Sequence, residues 1–482
     1  MNKLSFGRRK ILTNASAITR DNVRAVIEQS MNIHTLNRTE IRHLFDYRNG
    51  KQPVLNKKRP RESEKSDINN IVVNNHAYEI AAFKVAYLLS CPIMYVNDGE
   101  EKYAEDVNRL NSFMQLQMKE TKDQERADDC AVCGLGFIYI EPNKTYRDGD
   151  SPFLLHTLSP LNTFVVRSTA PGEPIVAAIR YVQLFNGVQS DPPNTLFNNI
   201  VFSVYTPDRY FEVLNGEIVK DAENTLGRIP IIEYPYNKSR IGCFEVVETQ
   251  LDAINSLESA RVDGAEQMVN ALTVFQNIEL DDGDWDTLKT RGAISVPSTD
   301  GLDAKVYTVS PQLNQADQQV LLDSLYNQVL RIACMPHLGD GMTSDSSNNG
   351  AVIVRNGWQN AEADAKMTET YWREPEKDLL EIALRICKAK MGMDVPVNAV
   401  KPTFTRHNYE DIMTKTTALV ALHNDPYCHP QDAWEIANAA YDPQGAYLRG
   451  MEWHKENTPP KTEEKAAEPV TEEPKTEDII VE

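Results

Sequence analysis

Apolar positions along this chain recur with two different periods. Residues 20–50 place them at helical spacing. Residues 51–67, KQPVLNKKRPRESEKSD, break that pattern with a basic, Pro-containing stretch of low hydrophobicity, which predicts an exposed linker. INNIVVNNHAYEIAAFKVAYLLSCPIMY, from Ile68, opens as a short strand-like piece. Ile80, Phe83, Tyr87 and Leu88 then predict a helix that Pro92 stops. A second, polar helix is predicted over 103–127. Between Val132 and Val219 the period falls to two. FIYIEP, FLLHTL, TFVVRS, PIVAAIRYVQLF, IVFSVYTPDRYFEVL and GEIVK read as six short strands separated by Pro, Gly and Asn. Strands flanked by helices predict the α+β class, closed by LGRIPIIEYPYN at 226–237.

After Gly242 the helical period returns. Phe244, Val247, Leu251, Ile254, Leu257, Val262, Ala265 and Met268 share one face, and Glu245, Glu248, Asp252, Glu258, Asp263 and Glu266 share the opposite one. LTVFQNIEL, GAISV and KVYTV form a small β-like region within 271–312. A second helix is predicted over 314–334, with Leu321, Leu325, Val329 and Ile332 along one stripe. The stretch GMTSDSSNNGAVIVRNG follows at 341–357; from Thr343 to Gly350 it holds no large apolar side chain and no charge except Asp345. A long helix is predicted over 352–391, with Pro375 as a bend or a new start, and a helical module over 409–455. The tail from 456 is rich in Glu, Pro and Thr, a composition that predicts disorder.

Charge is distributed unevenly. Residues 1–70 carry 15 Lys and Arg against 7 Asp and Glu, or +8, so the remaining 412 carry −28 of the net −20. This asymmetry fits a basic arm on an acidic body that repels nucleic acid at close range. Seven scattered cysteines do not make a disulfide framework, no stretch approaches the eighteen or so apolar residues of a membrane span, and MNKLSFGRRKILTNAS, without an apolar run before a small-residue cleavage site, is not expected to be a signal peptide. A cytoplasmic setting is expected.

Catalytic patterns are weak throughout. Cys130 and Cys133 have redox or zinc spacing but no second pair, and read as buried thiols beside a strand. GLGF at 134–137 lacks the third glycine of a nucleotide loop and reads as a turn into a strand. HNDPYCH, His423 to His429, offers three metal-type side chains, but Pro426 makes it a turn. Asp281, Asp282, Asp284 and Asp286 resemble a calcium loop whose glycine stands at the wrong position, with Gly292 where a Glu is required. These four residues define the alternative reading, a metal-dependent nucleic-acid-processing enzyme that loses cleavage when they become Asn. No catalytic residue, metal or cofactor is otherwise expected.

Four stretches, taken in order, resemble the portal proteins of tailed bacteriophages. They are residues 69–95, residues 226–269 with a Gly-x-Ile-Pro turn before the long acidic helix, MPHLGDGMTSDSSNNGAVIVRNG at 335–357, and the module from Lys401. The resemblance implies a wing over 68–240, stem helices at 241–270 and 314–340, and a clip over 271–313. It implies a tunnel loop over 341–351, a long returning helix over 352–400 and a crown over 401–455. The arm at 1–67 and the tail at 456–482 contribute nothing to it. It further implies a ring of twelve copies at one capsid vertex of the virion, assembled in the host cytoplasm. Its implied partners are double-stranded DNA, the terminase large subunit, a head–tail adaptor, and the major capsid and scaffold proteins, without a membrane. Thr343, Ser344, Asp345, Ser346, Ser347, Asn348 and Asn349 would touch the passing DNA. A Gly/Ser/Asn backbone shifts at little steric cost, and a nearly neutral loop does not grip phosphates. Glu245, Glu248 and Asp252 are the candidate channel-lining residues, with pairing to a neighbouring subunit as the other option.

Overall fold

Helical spacing near the N-terminus produces helix α1, Val23–Arg48, whose buried side includes Val23, Val26, Ile27, Ile41, Leu44 and Tyr47. The computed structural model describes residues 7–57, 68–98, 101–184, 200–269, 272–276, 283, 286, 290, 305–309, 315–336, 357–406, 412–437, 440 and 443–457. The chain divides into two compact units, Met1–Asn408 and Tyr409–Glu482.

In the first unit, strand β1 (Ile11–Thr13) precedes α1. Helix α2 (His76–Leu88), strand β2 (Met94–Asn97) and helices α3 (Ala104–Leu116) and α4 (Lys119–Cys133) follow it. The period-two region yields β3 (Leu135–Pro142), β4 (Phe153–Leu158), β5 (Thr163–Ser168), β6 (Ile175–Gln183), β7 (Ile200–Tyr205), β8 (Arg209–Leu214) and β9 (Glu217–Glu223). Strand β10 (Ile231–Pro235) closes it. One sheet has the order β1-β5-β6-β7-β8-β9 and another the order β10-β3-β4. IVFSVYTPDRYFEVL is therefore two strands of a hairpin, because Thr206 accepts from the Arg209 backbone N–H and turns the chain. GLGF is indeed a turn into a strand: Gly134 caps α4 at φ 80° before β3 begins.

The basic N-terminal segment, described from residue 7, is built into the first unit. Strand β1 pairs in parallel with β5, Ile11 opposite Val166, and α1 packs on the large sheet against Phe164, Val166, Ala177 and Phe211. The linker prediction also fails at its start, since Gln52 and Val54 are buried. Residues 58–67 lie outside the described residues. The strand-like piece at 68–75 joins no sheet, and α2 ends at Leu88, before Pro92. The single polar helix expected over 103–127 is two helices, separated at Met118, whose φ of 49° is left-handed.

His34 on α1 is buried with its ring stacked on Phe164, centroids 4.5 Å apart, and its Nε2 lies 3.2 Å from the Leu161 carbonyl. Burial lowers its pKa from 6.5 to about 4, and nearby Arg38 adds to the effect. The unfolded chain takes up this proton near 6.5 and the folded chain only near 4. The contribution of a neutral His34 is therefore complete above 6.5 and declines as pH falls toward 4, by about 3 kcal/mol in total. Thermal unfolding between pH 7 and 4 should show this loss, and His34→Gln should flatten it. An unchanged pH slope in that variant would remove His34 from the account.

Helix α5 (Glu248–Val269) leads to a two-stranded sheet of β11 (Leu272–Gln276) and β12 (Lys305–Val309), then to helix α6 (Gln315–Ile332). GAISV lies outside the described residues. Helix α7 (Trp358–Met391) runs unbroken through Pro375, which sits buried within it. Gly392 ends α7 at φ 74°, its N–H bonding to the Lys388 carbonyl. Strand β13 (Val400–Thr403) pairs with β2 inside the first unit. The second unit carries α8 (Ile412–His423), α9 (Pro430–Ala437) and α10 (Pro443–Asn457). His423 to His429 form the α8–α9 turn, where the Cys428 N–H bonds to the Asp425 carbonyl. The tail from 458 lies outside the described residues.

Candidate functional site

Helices α5 and α6 pack on each other, and the chain reaches α5 through a tight junction. Residues Phe244, Val247, Leu251 and Ile254 are buried, as the apolar stripe predicts, each worth roughly 2 kcal/mol in area removed from water. The stripe then fades: Val262 and Ala265 are exposed. On α6 the buried side is Leu322, Val329, Leu330 and Ala333, while Leu321 and Ile332, two of the four residues in the expected stripe, are exposed. Val320 is exposed by 68%. The helix pair thus presents several exposed apolar side chains among the described residues. Beside it, a groove of about 350 Å³ is lined by Val246, Ile332, Met367, Lys84, Asp364 and Tyr371, among others.

The acidic face of α5 lies differently from the sequence expectation. Glu245 is buried and accepts from the Arg8 guanidinium and from the Gly242 N–H. Glu248 accepts from His43 Nε2, and Asp252 accepts from the Tyr47 hydroxyl at 2.9 Å. Burial pushes the Glu245 and Asp252 carboxyls up. The Glu248 hydrogen bond raises His43 above its ordinary value. The three candidate channel-lining residues therefore spend their oxygens on β1-side and α1 groups of the same chain. The reason lies in the N-terminal segment, whose Arg8, His43 and Tyr47 meet these carboxylates.

Farther along α5, Asn255, Ser259, Asp263 and Glu266 hold residues 70–74 and Lys57. Gln52 completes this seam. It donates to the Tyr47 carbonyl and to Asn75 Oδ1, and accepts from Asn255 Nδ2. No periodicity marks Gln52, because its partners come from three separate segments.

A second polar assembly was hidden inside the helix expected to be merely polar. Lys119, Asp123 and Arg126 repeat along one face of α4, and that face is buried. Lys119 reaches Asp123 Oδ2 at 2.6 Å, and Arg126 Nη2 reaches Asp123 Oδ1 at 2.8 Å. Glu376 of α7 is fully buried and accepts from Arg126 at 3.0 Å, Tyr234 at 3.0 Å and Tyr95 at 2.8 Å. Arg126 also lies over the Tyr234 ring, 3.6 Å from its centroid, and over Trp372. Burial alone would raise Glu376, but Lys119 and Arg126 hold it below the usual carboxylate range. Two buried cations meet two buried carboxylates, and the arrangement locks α4, α7, β2 and β10 together.

The remaining candidates divide clearly. Cys130 and Cys133 are fully buried, their thiols donating to the Tyr234 and Leu135 carbonyls, and burial pushes both upward. Asp286 is a helical, exposed residue, not part of a turn. Asp281, Asp282 and Asp284 lie outside the described residues, as do Thr343, Ser344, Asp345, Ser346, Ser347, Asn348 and Asn349. Among the described residues no group of three His, Cys, Asp or Glu side chains could hold a metal ion, and no helix is long and apolar enough to cross a membrane.

Residues 27–456 match the family of phage portal proteins, SPP1 Gp6-like. This chain belongs to the phage portal protein family. The match starts inside α1 and so includes part of the segment that the resemblance had left out. It runs through the helix pair and through α8 and α9 to within a residue of the end of α10. Portal proteins are structural components, and the family places this one at a capsid vertex, within an oligomeric ring. Among curated proteins none matches the chain.

Proposed function

We propose that this portal-family chain is the protomer of a closed ring, twelve copies in the reading adopted here, through which double-stranded DNA is packaged and later released. The observation that carries the proposal is the apolar edge of the α5–α6 pair. Val262 of α5 and Val320, Leu321 and Ile332 of α6 are exposed, as is Val246 in the turn that precedes α5. Repetition of one protomer about an axis buries such an edge against the next copy and leaves no unmatched end.

In this reading β1 to β10 and α1 to α4 form the wing, α5 and α6 the stem, and β11 and β12 part of the clip. The clip docks the terminase large subunit during packaging and the head–tail adaptor afterwards. Residues 343–349 form the loop that touches DNA, α7 returns over the wing, and α8 to α10 form the crown among capsid and scaffold proteins. The acidic residues of α5 serve the seam with the N-terminal segment, which takes them out of the proposed bore. Leu251→Asp is consequently a folding variant, because Leu251 lies in the chain's own core.

Assembly variants belong on the exposed edge. Native mass measurement with negative-stain imaging should give rings with a central hole for the unaltered chain. Val320→Asp and Ile332→Asp should shift the population toward monomer at least about tenfold, with unchanged far-UV circular dichroism, because each would bury an unpaired carboxylate. A monomer that stays small at high concentration would overturn the proposal. So would metal-dependent cleavage of nucleic acid that vanishes on Asp286→Asn.

A further inference from the structure

Residues 68–74 belong to no helix or sheet, yet three of their backbone amides, at every second residue, are read in register. The Asn70 N–H donates to Asp263 Oδ1 at 2.6 Å, the Val72 N–H to Ser259 Oγ at 3.0 Å, and the Asn74 N–H to Asn255 Oδ1 at 2.7 Å. Alternate amides of the strap thus meet every fourth side chain of α5, running antiparallel to it. The spacing explains the fit. Two residues of extended chain span roughly 6.6 Å and four residues of helix roughly 6.0 Å, so three consecutive bonds stay in step. Asn70 Nδ2 adds a bond to Glu266, and Lys57 adds one to Asp263 Oδ2 at 2.6 Å.

The strap runs directly into the first turn of α2, and that turn holds the other helix of the pair. Tyr326 of α6 donates to Glu79 Oε1 at 2.8 Å, and the His76 ring lies 4.5 Å from the Tyr326 ring. His76 Nδ1 is 2.8 Å from Glu79 Oε2, which ties the two contacts together. The Asn75 side chain caps α2 at the joint between strap and helix.

We propose that residues 70–79 are a crossbar that fixes α5 and α6 relative to each other, reading α5 through backbone amides and α6 through Glu79 and His76. It works in addition to the direct contact from Arg261 to Gln319. The crossbar is a property of the single chain. Its consequence, a fixed spacing of the stem around a channel, rests on the portal reading.

Hydrogen exchange on the full chain tests it. In the unaltered protein the amides of residues 70, 72 and 74 should exchange at least about tenfold more slowly than unstructured chain. Asp263→Ala should release the amide of residue 70. Asp263→Asn should retain its protection, because an amide oxygen still accepts. Ser259→Ala should likewise release the amide of residue 72. Either releasing variant should also speed exchange in α6 around Tyr326 by about threefold or more, and Tyr326→Phe should reciprocally speed the strap amides. The reciprocal variant carries the test should an α5 variant fail to fold. Unprotected strap amides in the unaltered chain, or an α6 indifferent to the α5 variants while Tyr326→Phe leaves the strap unchanged, would overturn the crossbar. Absence of rings with these results intact would overturn the portal reading alone.

Discussion

Glu376→Ala is expected to cost the first unit about 3–5 kcal/mol and to lower soluble yield sharply. Glu376 is one of two carboxylates that balance Lys119 and Arg126, and all four side chains are buried. Its removal leaves two buried cations sharing Asp123 and deprives the Tyr95 and Tyr234 hydroxyls of their acceptor. The rings of Tyr234 and Trp372 continue to face Arg126, but a ring face is worth only about 0.5–2 kcal/mol and does not replace a buried carboxylate. Charge balance is tested by Lys119→Met combined with Glu376→Gln, which removes one charge of each sign. That pair should recover part of the loss relative to Glu376→Ala in chemical denaturation. If Glu376→Ala melts within a degree or two of the unaltered chain, the network is not the lock described here.

Gly242→Ala should be comparably damaging, for a steric reason. A Cβ at Gly242 would stand 2.1 Å from the Val132 carbonyl oxygen, and that oxygen is backbone. The adjacent Cys243 N–H bonds to the Ala131 carbonyl at 2.7 Å, satisfying one of the orphan acceptors at the end of α4. Gly134 approaches from the other side, where a Cβ would lie 2.2 Å from the Arg240 carbonyl oxygen. Two backbones touch here, so neither can withdraw without opening the passage from the wing sheet into α5. The expected cost is roughly 3 kcal/mol or more, from overpacking and the lost hydrogen bond together. Gly450→Ala is the control. Its Cβ would meet nothing and the residue is helical, so stability should stay level or rise by up to about 1 kcal/mol. Equal melting of both variants would refute the steric account.

How far these features could be read from the sequence depends on how local their causes are. Strands β3 to β6 and β9 and helices α1, α5 and α6 were legible because alternation and helical spacing act within a few residues, whereas β7 and β8 read as a single strand. The ends of the α5 apolar stripe, and the break at Met118 in a run of polar residues, were not, because packing decides them. Pro375 shows the same limit. Removing one N–H normally ends or kinks a helix, yet α7 continues because its face from Ala361 to Cys387 is buried along its length.

The sequence by itself determined the α+β class and the family, because both are carried by residue types in succession. Only the tertiary structure decided what faces what. It turned Glu245, Glu248 and Asp252 toward Arg8, His43 and Tyr47, laid residues 70–74 along α5, and buried Lys119, Asp123 and Arg126 around Glu376. The physical reason is common to all three. A charged stripe announces that a helix face differs from its opposite, but whether that face meets water, DNA or buried countercharges is set by segments up to 257 residues away in the chain.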